Sequence, residues 1–165
     1  MATLNYLAYG SNLFPPRLSA RIGIRGVSGT IEMSGYQLRF NKRGADGSGK
    51  CSLQPCQHER AYGVVYQICV TDKPILDRIE GVGHGYRVEL WQDKTYGECF
   101  LYRAEKAALD NTLQPFDWYL AYVLAGAQHH RLPANYIATI AAVPTRQDDD
   151  ARRRAENFTR LMTQA

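Results

Sequence analysis

A chain of 165 residues, 45% of them apolar, is long enough to bury one real core and of the length expected for one domain. It contains no run of about 18 apolar residues, which excludes a membrane-spanning helix. The net charge of +4 and pI of about 8.9 suit a small anionic substrate and allow only weak, non-specific attraction to nucleic acid.

Met1-Ala2-Thr3-Leu4 carries no basic stretch and leads straight into a strand, so no signal peptide is expected and the default compartment is the cytoplasm. The four cysteines, Cys51, Cys56, Cys69 and Cys99, form no C-x-x-C pair and are expected to be reduced and structural. Cys51, Cys56 and His58 lack a second half-site, which argues against zinc.

In chain order, Tyr6 to Tyr9 reads as a short buried strand. It stops at Gly10, which can take a positive φ. Ser11 and Asn12 follow, then an apolar pair, then Pro15-Pro16, residues suited to a helix start. Successive N–H groups in such a turn, with a helix N-terminus behind them, can cradle a carboxylate, a phosphate or a developing oxyanion. Spacing alone favours the plainer alternative, a strand-to-helix turn capped by Asn12. A short helix is expected over Arg17 to Ile22.

The middle is β-rich. Gly29 to Met33 and Tyr36 to Asn41 are strand-like, and Ser34-Gly35 between them reads as a hairpin turn. Lys42 to Lys50 is a charged, glycine-containing stretch, expected to be an inert mobile surface loop rather than one that closes on a substrate. Cys51 to Gln54 and Ala61 to Val70 are further strands. Thr71 is a candidate N-cap for a helix with Ile75, Leu76 and Ile79 as its apolar stripe, ending at Gly81.

Glu80 breaks a local rule. A carboxylate in the last turn of a helix faces the negative end of the macrodipole, at a cost of about 0.3–1 kcal/mol. The same field would favour its protonated form, which suits a general base. A surface glutamate tolerating a small penalty accounts equally well for its position.

Tyr86 to Gln92 and Glu98 to Arg103 alternate as two strands of a hairpin. The last third is helical: a helix beginning at Pro115 and interrupted near Gly126, another over Pro133 to Ala142, and a third over Asp149 to Met162. His129 and His130 are expected at the surface. Arg152-Arg153-Arg154 reads as the solvated face of a helix, because no aromatics interleave with it. This order of elements indicates an α+β fold, a curved, barrel-like, mostly antiparallel sheet flanked by helices.

Tyr9-Gly10-Ser11-Asn12-Leu13, Tyr62-Gly63-Val64-Val65-Tyr66 and Leu76-Asp77-Arg78-Ile79-Glu80-Gly81-Val82, with Tyr86 just beyond, occur in the order found in the gamma-glutamylcyclotransferase-like family. The chain resembles that family from about Leu4 to Pro144. The resemblance implies that Glu80 is the catalytic acid/base. It implies that Tyr9, Gly10, Ser11, Asn12, Leu13, Tyr86, Tyr102 and Tyr119 bind the substrate or position Glu80. It also implies a cofactor-independent reaction without a metal, in which a small γ-glutamyl compound closes to 5-oxoproline and frees an amine. The turn departs from glutathione-specific relatives, which carry an apolar residue where Asn12 stands, and this lowers the expectation of glutathione as substrate. It departs from the γ-glutamylamine-processing relatives as well.

The segment after Pro144 looks less like the family and is expected to be a helical extension of a single domain, a candidate contact for a homodimer. Two competing functions use other features. A non-catalytic module on the same scaffold would recognise a carboxylate-bearing ligand, though Glu80 in the cleft argues against it. A nucleic-acid binder would use Arg152 to Arg154, and the absence of aromatics disfavours it.

Overall fold

The computed structural model describes residues 1–164. Its strands are β1 (Thr3–Ala8), β2 (Ile24–Arg43), β3 (Gly49–Cys69), β4 (Tyr86–Asp93) and β5 (Gly97–Ala104). Its helices are α1 (Pro15–Ser19), α2 (Lys73–Glu80), α3 (Asp117–His129), α4 (Ala134–Ala141) and α5 (Ala151–Gln164). The strands make one sheet in the order β2-β3-β1-β5-β4. Every neighbouring pair is antiparallel except β1 with β5.

The sheet curls until its two edges meet. The Tyr36 ring of β2 lies edge-on to Trp91 of β4, centroids 5.5 Å apart. Arg103 of β5 donates from Nη1 to the Leu53 carbonyl of β3 at 2.6 Å. The expected α+β architecture, a curved and mostly antiparallel sheet with helices against it, is therefore the observed one.

The core follows from this curl. In β3, Val64, Val65, Tyr66 and Ile68 are all fully buried, because neighbouring residues point to opposite sides and both sides are covered. Tyr66 is the largest of them, and burial of its hydroxyl is offset by a hydrogen bond to the Leu13 carbonyl at 2.6 Å. That bond pins the central strand to the turn that follows β1.

Several local expectations change. Ser34-Gly35 is not a hairpin turn. β2 runs on through it, with a register shift between Ser34 and Tyr36 opposite β3. Gly35 has φ of 79°, so a bulge makes the same demand on sequence as a turn. The true hairpin is the Lys42–Lys50 stretch. There Asp46 accepts from the Ser48 N–H and hydroxyl and pairs with Lys50 at 2.7 Å.

The first helix is Pro15–Ser19 rather than Arg17 to Ile22. Leu76 is the buried residue of α2, whereas Ile75 and Ile79 are over two-fifths exposed. Thr71 makes no cap; its hydroxyl donates to the Cys69 sulfur. α3 does not break at Gly126. A Cβ there would lie 2.5 Å from Leu13 Cβ and from the Phe14 nitrogen, so this glycine lets α3 pack directly on the turn after β1.

The arginine run is also more than a solvated face. Arg152 pairs within its own helix with Glu156, but Arg153 pairs with buried Asp148 and Arg154 with Asp117 of α3. Those two pairs, and the Tyr122 hydroxyl on the Asn157 carbonyl at 3.2 Å, tie α5 to the body. Among the described residues no helix is long and apolar enough to cross a membrane.

Candidate active site

Glu80 is the last residue of α2, and Gly81 behind it caps the helix in a left-handed conformation, φ 76°. The carboxylate is not left facing the macrodipole alone. Its Oε1 accepts from Arg21 Nη1 at 2.6 Å and from Asn12 Nδ2 at 2.9 Å. Arg21 Nη1 also donates to Asn12 Oδ1 at 3.1 Å, and Asn12 Nδ2 reaches the Tyr6 hydroxyl at 3.0 Å. The three side chains hold one another in place, and Glu80 Oε2 accepts from no donor among the described residues.

A recess of about 30 Å³ opens at this point, lined by Tyr6, Tyr9, Gly10, Ser11, Asn12, Cys51, Glu80, Tyr86, Tyr102 and Tyr119. It brings together all the residues singled out from the sequence except Leu13. That side chain is fully buried below the turn. Its backbone carbonyl accepts from Tyr66 and lies 2.9 Å from His130 Nε2. His130 is thus half-buried against the base of the turn rather than at the surface, while His129 is exposed.

Residues 11–13 form one turn of 3-10 helix. The N–H groups of Leu13 and Phe14 bond to the carbonyls of Gly10 and Ser11, while those of Gly10, Ser11 and Asn12 find no protein acceptor among the described residues. Three successive unpaired donors are a site for negative charge. Gly10 has φ of −114°, so the expected positive φ is not the reason for glycine here. The reason is proximity: a Cβ would stand 2.9 Å from Cys51 Cβ and 3.2 Å from its sulfur.

The tyrosines form a wall fixed to backbone. Tyr86 donates to the Cys51 carbonyl at 2.5 Å, and the Cys51 N–H donates to the Tyr119 oxygen at 3.1 Å. Tyr9 donates to the Tyr102 carbonyl. Tyr102 donates to Asp77 Oδ1 at 2.7 Å rather than to Glu80. Burial holds the hydroxyls of Tyr9, Tyr86 and Tyr119 well above their ordinary range, so each is a protonated donor. Burial likewise pushes the Cys51 thiol up to about 12, which removes it as a nucleophile at neutral pH.

Beyond the recess lies a wider cleft of about 630 Å³. Arg17, Arg21, Lys42, Arg43, Lys50 and Arg78 line it, against only Asp46 and Glu80. The hairpin stretch expected to be an inert surface loop is one of its walls. Sequence reasoning missed Arg21, Lys42, Cys51 and Tyr6. Cys51 was expected to be a structural thiol and was weighed otherwise only as a zinc ligand, and Arg21 sits 59 residues from the carboxylate it holds. No local pattern announces that pair.

The curled five-stranded sheet with its flanking helices recurs in solved structures. Residues 60–140, just under half of the chain, match the AIG2-like family. A solved structure named gamma-glutamyl cyclotransferase is 21% identical and superposes with a TM-score of 0.85, over 98% of this chain and 99% of that one. The uncharacterized protein loc79017 from Homo sapiens is 20% identical with a TM-score of 0.81, again over 98% and 99%. YkqA from Bacillus subtilis is 19% identical with a TM-score of 0.74, over 88% of this chain and 57% of that one. No curated protein matches the sequence. At these identities the likeness is one of fold, shared with the solved gamma-glutamyl cyclotransferase over nearly the whole of both chains.

Proposed function

We propose that the protein is a cytoplasmic enzyme that closes a γ-glutamyl compound to 5-oxoproline and releases its amine. The observation that carries this reading is the half-occupied carboxylate of Glu80, fixed through one oxygen and beside three unpaired turn N–H groups. The substrate brings its own nucleophile. Folding the γ-glutamyl group so that its α-nitrogen meets its γ-carbonyl makes the attack intramolecular, and such orientation contributes up to about 7–11 kcal/mol.

Glu80 Oε2 takes a proton from the α-ammonium. The freed amine attacks the γ-carbonyl, forming the ring C–N bond and a tetrahedral oxyanion. The N–H groups of Gly10, Ser11 and Asn12 are the donors for that oxygen. The bond to the departing nitrogen then breaks as that nitrogen is protonated. The lactam keeps one of the three ammonium hydrogens. The other two end on the departing nitrogen, which leaves as an ammonium, so no net proton is consumed. Glu80 carries them in turn, work that general acid–base groups perform with gains of about 10²–10⁴. Tyr86, Tyr102, Tyr119 and Tyr9 shape the recess around the folded substrate.

The test of the reaction type is turnover of γ-glutamyl amino acids, γ-glutamyl amines and glutathione in ¹⁸O-labelled water. Ring closure gives 5-oxoproline and amine in equal amounts with no label in the product. Labelled glutamate would mean hydrolysis, and absence of any product would leave the scaffold as a binding module.

A further inference from the structure

Five tyrosines line the recess, and four of their hydroxyls bond to groups that take no part in holding Glu80. Tyr9 and Tyr86 donate to the carbonyls of Tyr102 and Cys51, Tyr102 donates to Asp77, and Tyr119 accepts from the Cys51 N–H. Tyr6 differs. Its oxygen accepts from Asn12 Nδ2 at 3.0 Å, and the same nitrogen donates to Glu80 Oε1 at 2.9 Å. The tyrosine oxygen and the carboxylate therefore lie no farther apart than those two bonds laid end to end.

The direction of these bonds is set by charge. Arg21 Nη1 donates to Asn12 Oδ1 at 3.1 Å, so the amide nitrogen faces the carboxylate and the tyrosine, with one hydrogen for each. An amide nitrogen accepts nothing. The hydrogen of the Tyr6 hydroxyl is not spent on Asn12, and it meets no other acceptor among the described residues. The ring is held by Phe100, stacked with centroids 5.2 Å apart, and by Tyr102, and only 4% of the residue is exposed. Burial, with Glu80 nearby, keeps the hydroxyl protonated at neutral pH. A buried donor left without an acceptor is costly, and such groups in folded proteins call for a partner.

We propose that Tyr6 is a catalytic residue whose hydroxyl donates to the γ-carbonyl oxygen of the folded substrate as that oxygen gains charge. The assignment rests on the cyclotransferase reading above. Glu80 must reach both nitrogens on the γ-carbon, the one that attacks and the one that departs, so that carbon lies beside its free oxygen. A donor held one amide away from the same carboxylate is placed for the oxygen on that carbon, where it joins the turn N–H groups. The proton stays on the phenol throughout. Its bond is weaker to a neutral carbonyl than to an oxyanion, so it acts on the rate more than on binding.

The experiment replaces Tyr6 alone with mono- and difluorotyrosine, near-isosteric residues whose hydroxyls are progressively stronger donors and weaker acceptors. Tyr6→Phe is made beside them. The substrate is whichever of γ-glutamyl-alanine, γ-glutamyl-ethylamide and glutathione the wild type turns over fastest, and 5-oxoproline is followed in a single turnover. The rate should rise along the fluorinated series by about two- to fivefold, with little change in substrate Kd. Tyr6→Phe should lose about a hundredfold, the worth of one oxyanion donor.

A rate that falls along the series would mean that Tyr6 serves only as the acceptor that orients Asn12. A gain confined to Kd would put its hydrogen on a group the reaction leaves unchanged, such as the α-carboxylate. Either result overturns the proposal, as does a flat series or an undiminished rate in Tyr6→Phe, and each leaves the ring closure itself standing. Absence of 5-oxoproline from wild type on all three compounds overturns the reaction, and the Tyr6 assignment falls with it.

Discussion

Two carboxylates in this protein are each held by an arginine, and they are held differently. Asp148 is fully buried at the foot of α5, and both its oxygens are saturated. Oδ2 accepts from Trp118 Nε1 at 2.8 Å and Arg153 Nε at 2.7 Å; Oδ1 accepts from Arg153 Nη2 at 2.6 Å and the Asp150 N–H at 2.9 Å. Glu80 has one oxygen that accepts twice and another that accepts from no donor among the described residues, with 17% of its side chain open to the cleft. A closed carboxylate can only stabilise. An open one, oriented through half of itself, can still exchange a proton.

That contrast makes opposite predictions for the two sites. Glu80→Gln keeps the shape and the Arg21 and Asn12 contacts through its amide oxygen, so Tm should stay within a degree or two. Turnover should fall by about 10²–10⁴. Asp148→Ala should do the reverse, with a stability loss of about 2–3 kcal/mol as Arg153 and Trp118 lose their acceptor, and turnover per folded molecule nearly intact. Chemical denaturation of both variants beside a steady-state assay checks the crossing. If Asp148→Ala removed activity without loss of stability, the contrast would be wrong.

The Asp148 term also has a pH signature. Hydrogen bonds from Arg153, with Trp118 and the Asp150 N–H behind them, hold its carboxyl far below the usual range. A folded value below the unfolded one, about 3.9 for aspartate, gives stability that is present above that pH. It is lost as pH falls through the folded value. The gap in stability between wild type and Asp148→Asn should therefore be constant near neutrality and shrink below about pH 4.

A smaller effect is expected at Arg21. It positions Glu80 and is not placed on the reacting atoms, so Arg21→Met should lower kcat about tenfold with less change in KM, and Arg21→Lys should recover part of it. An unchanged kcat would mean that Asn12 alone orients the carboxylate. The smallest effect belongs to Tyr102→Phe. Its hydroxyl serves Asp77 at 2.7 Å, so a loss of about 1–1.5 kcal/mol in stability and less than tenfold in kcat/KM is expected.

Which parts could be seen in the sequence follows the same division between local and distant causes. β4, β5, α2 and the strand before Gly10 announce themselves through alternation and punctuation, and with them the α+β order. The turn at residues 10–13 and the Glu80-Gly81 helix end are local signals too, and the curled sheet sets them side by side. Ser34-Gly35 misled because a left-handed glycine serves a hairpin and a bulge alike. Gly126 misled because a close approach to Leu13 is a tertiary fact. Arg21, Lys42 and Arg153 stayed hidden for one reason. The worth of a charge depends on its partner, and Arg21's is 59 residues away while buried Lys42 has no ion-pair partner among the described residues.

The central claim is that Glu80 moves the protons of an intramolecular ring closure. It is tested most directly by 5-oxoproline release from a turned-over γ-glutamyl substrate, wild type against Glu80→Gln, with Tm measured on the same samples. The account predicts product from wild type and a loss of at least a hundredfold in a variant that melts like the parent. Undiminished 5-oxoproline from a folded Glu80→Gln protein would contradict it.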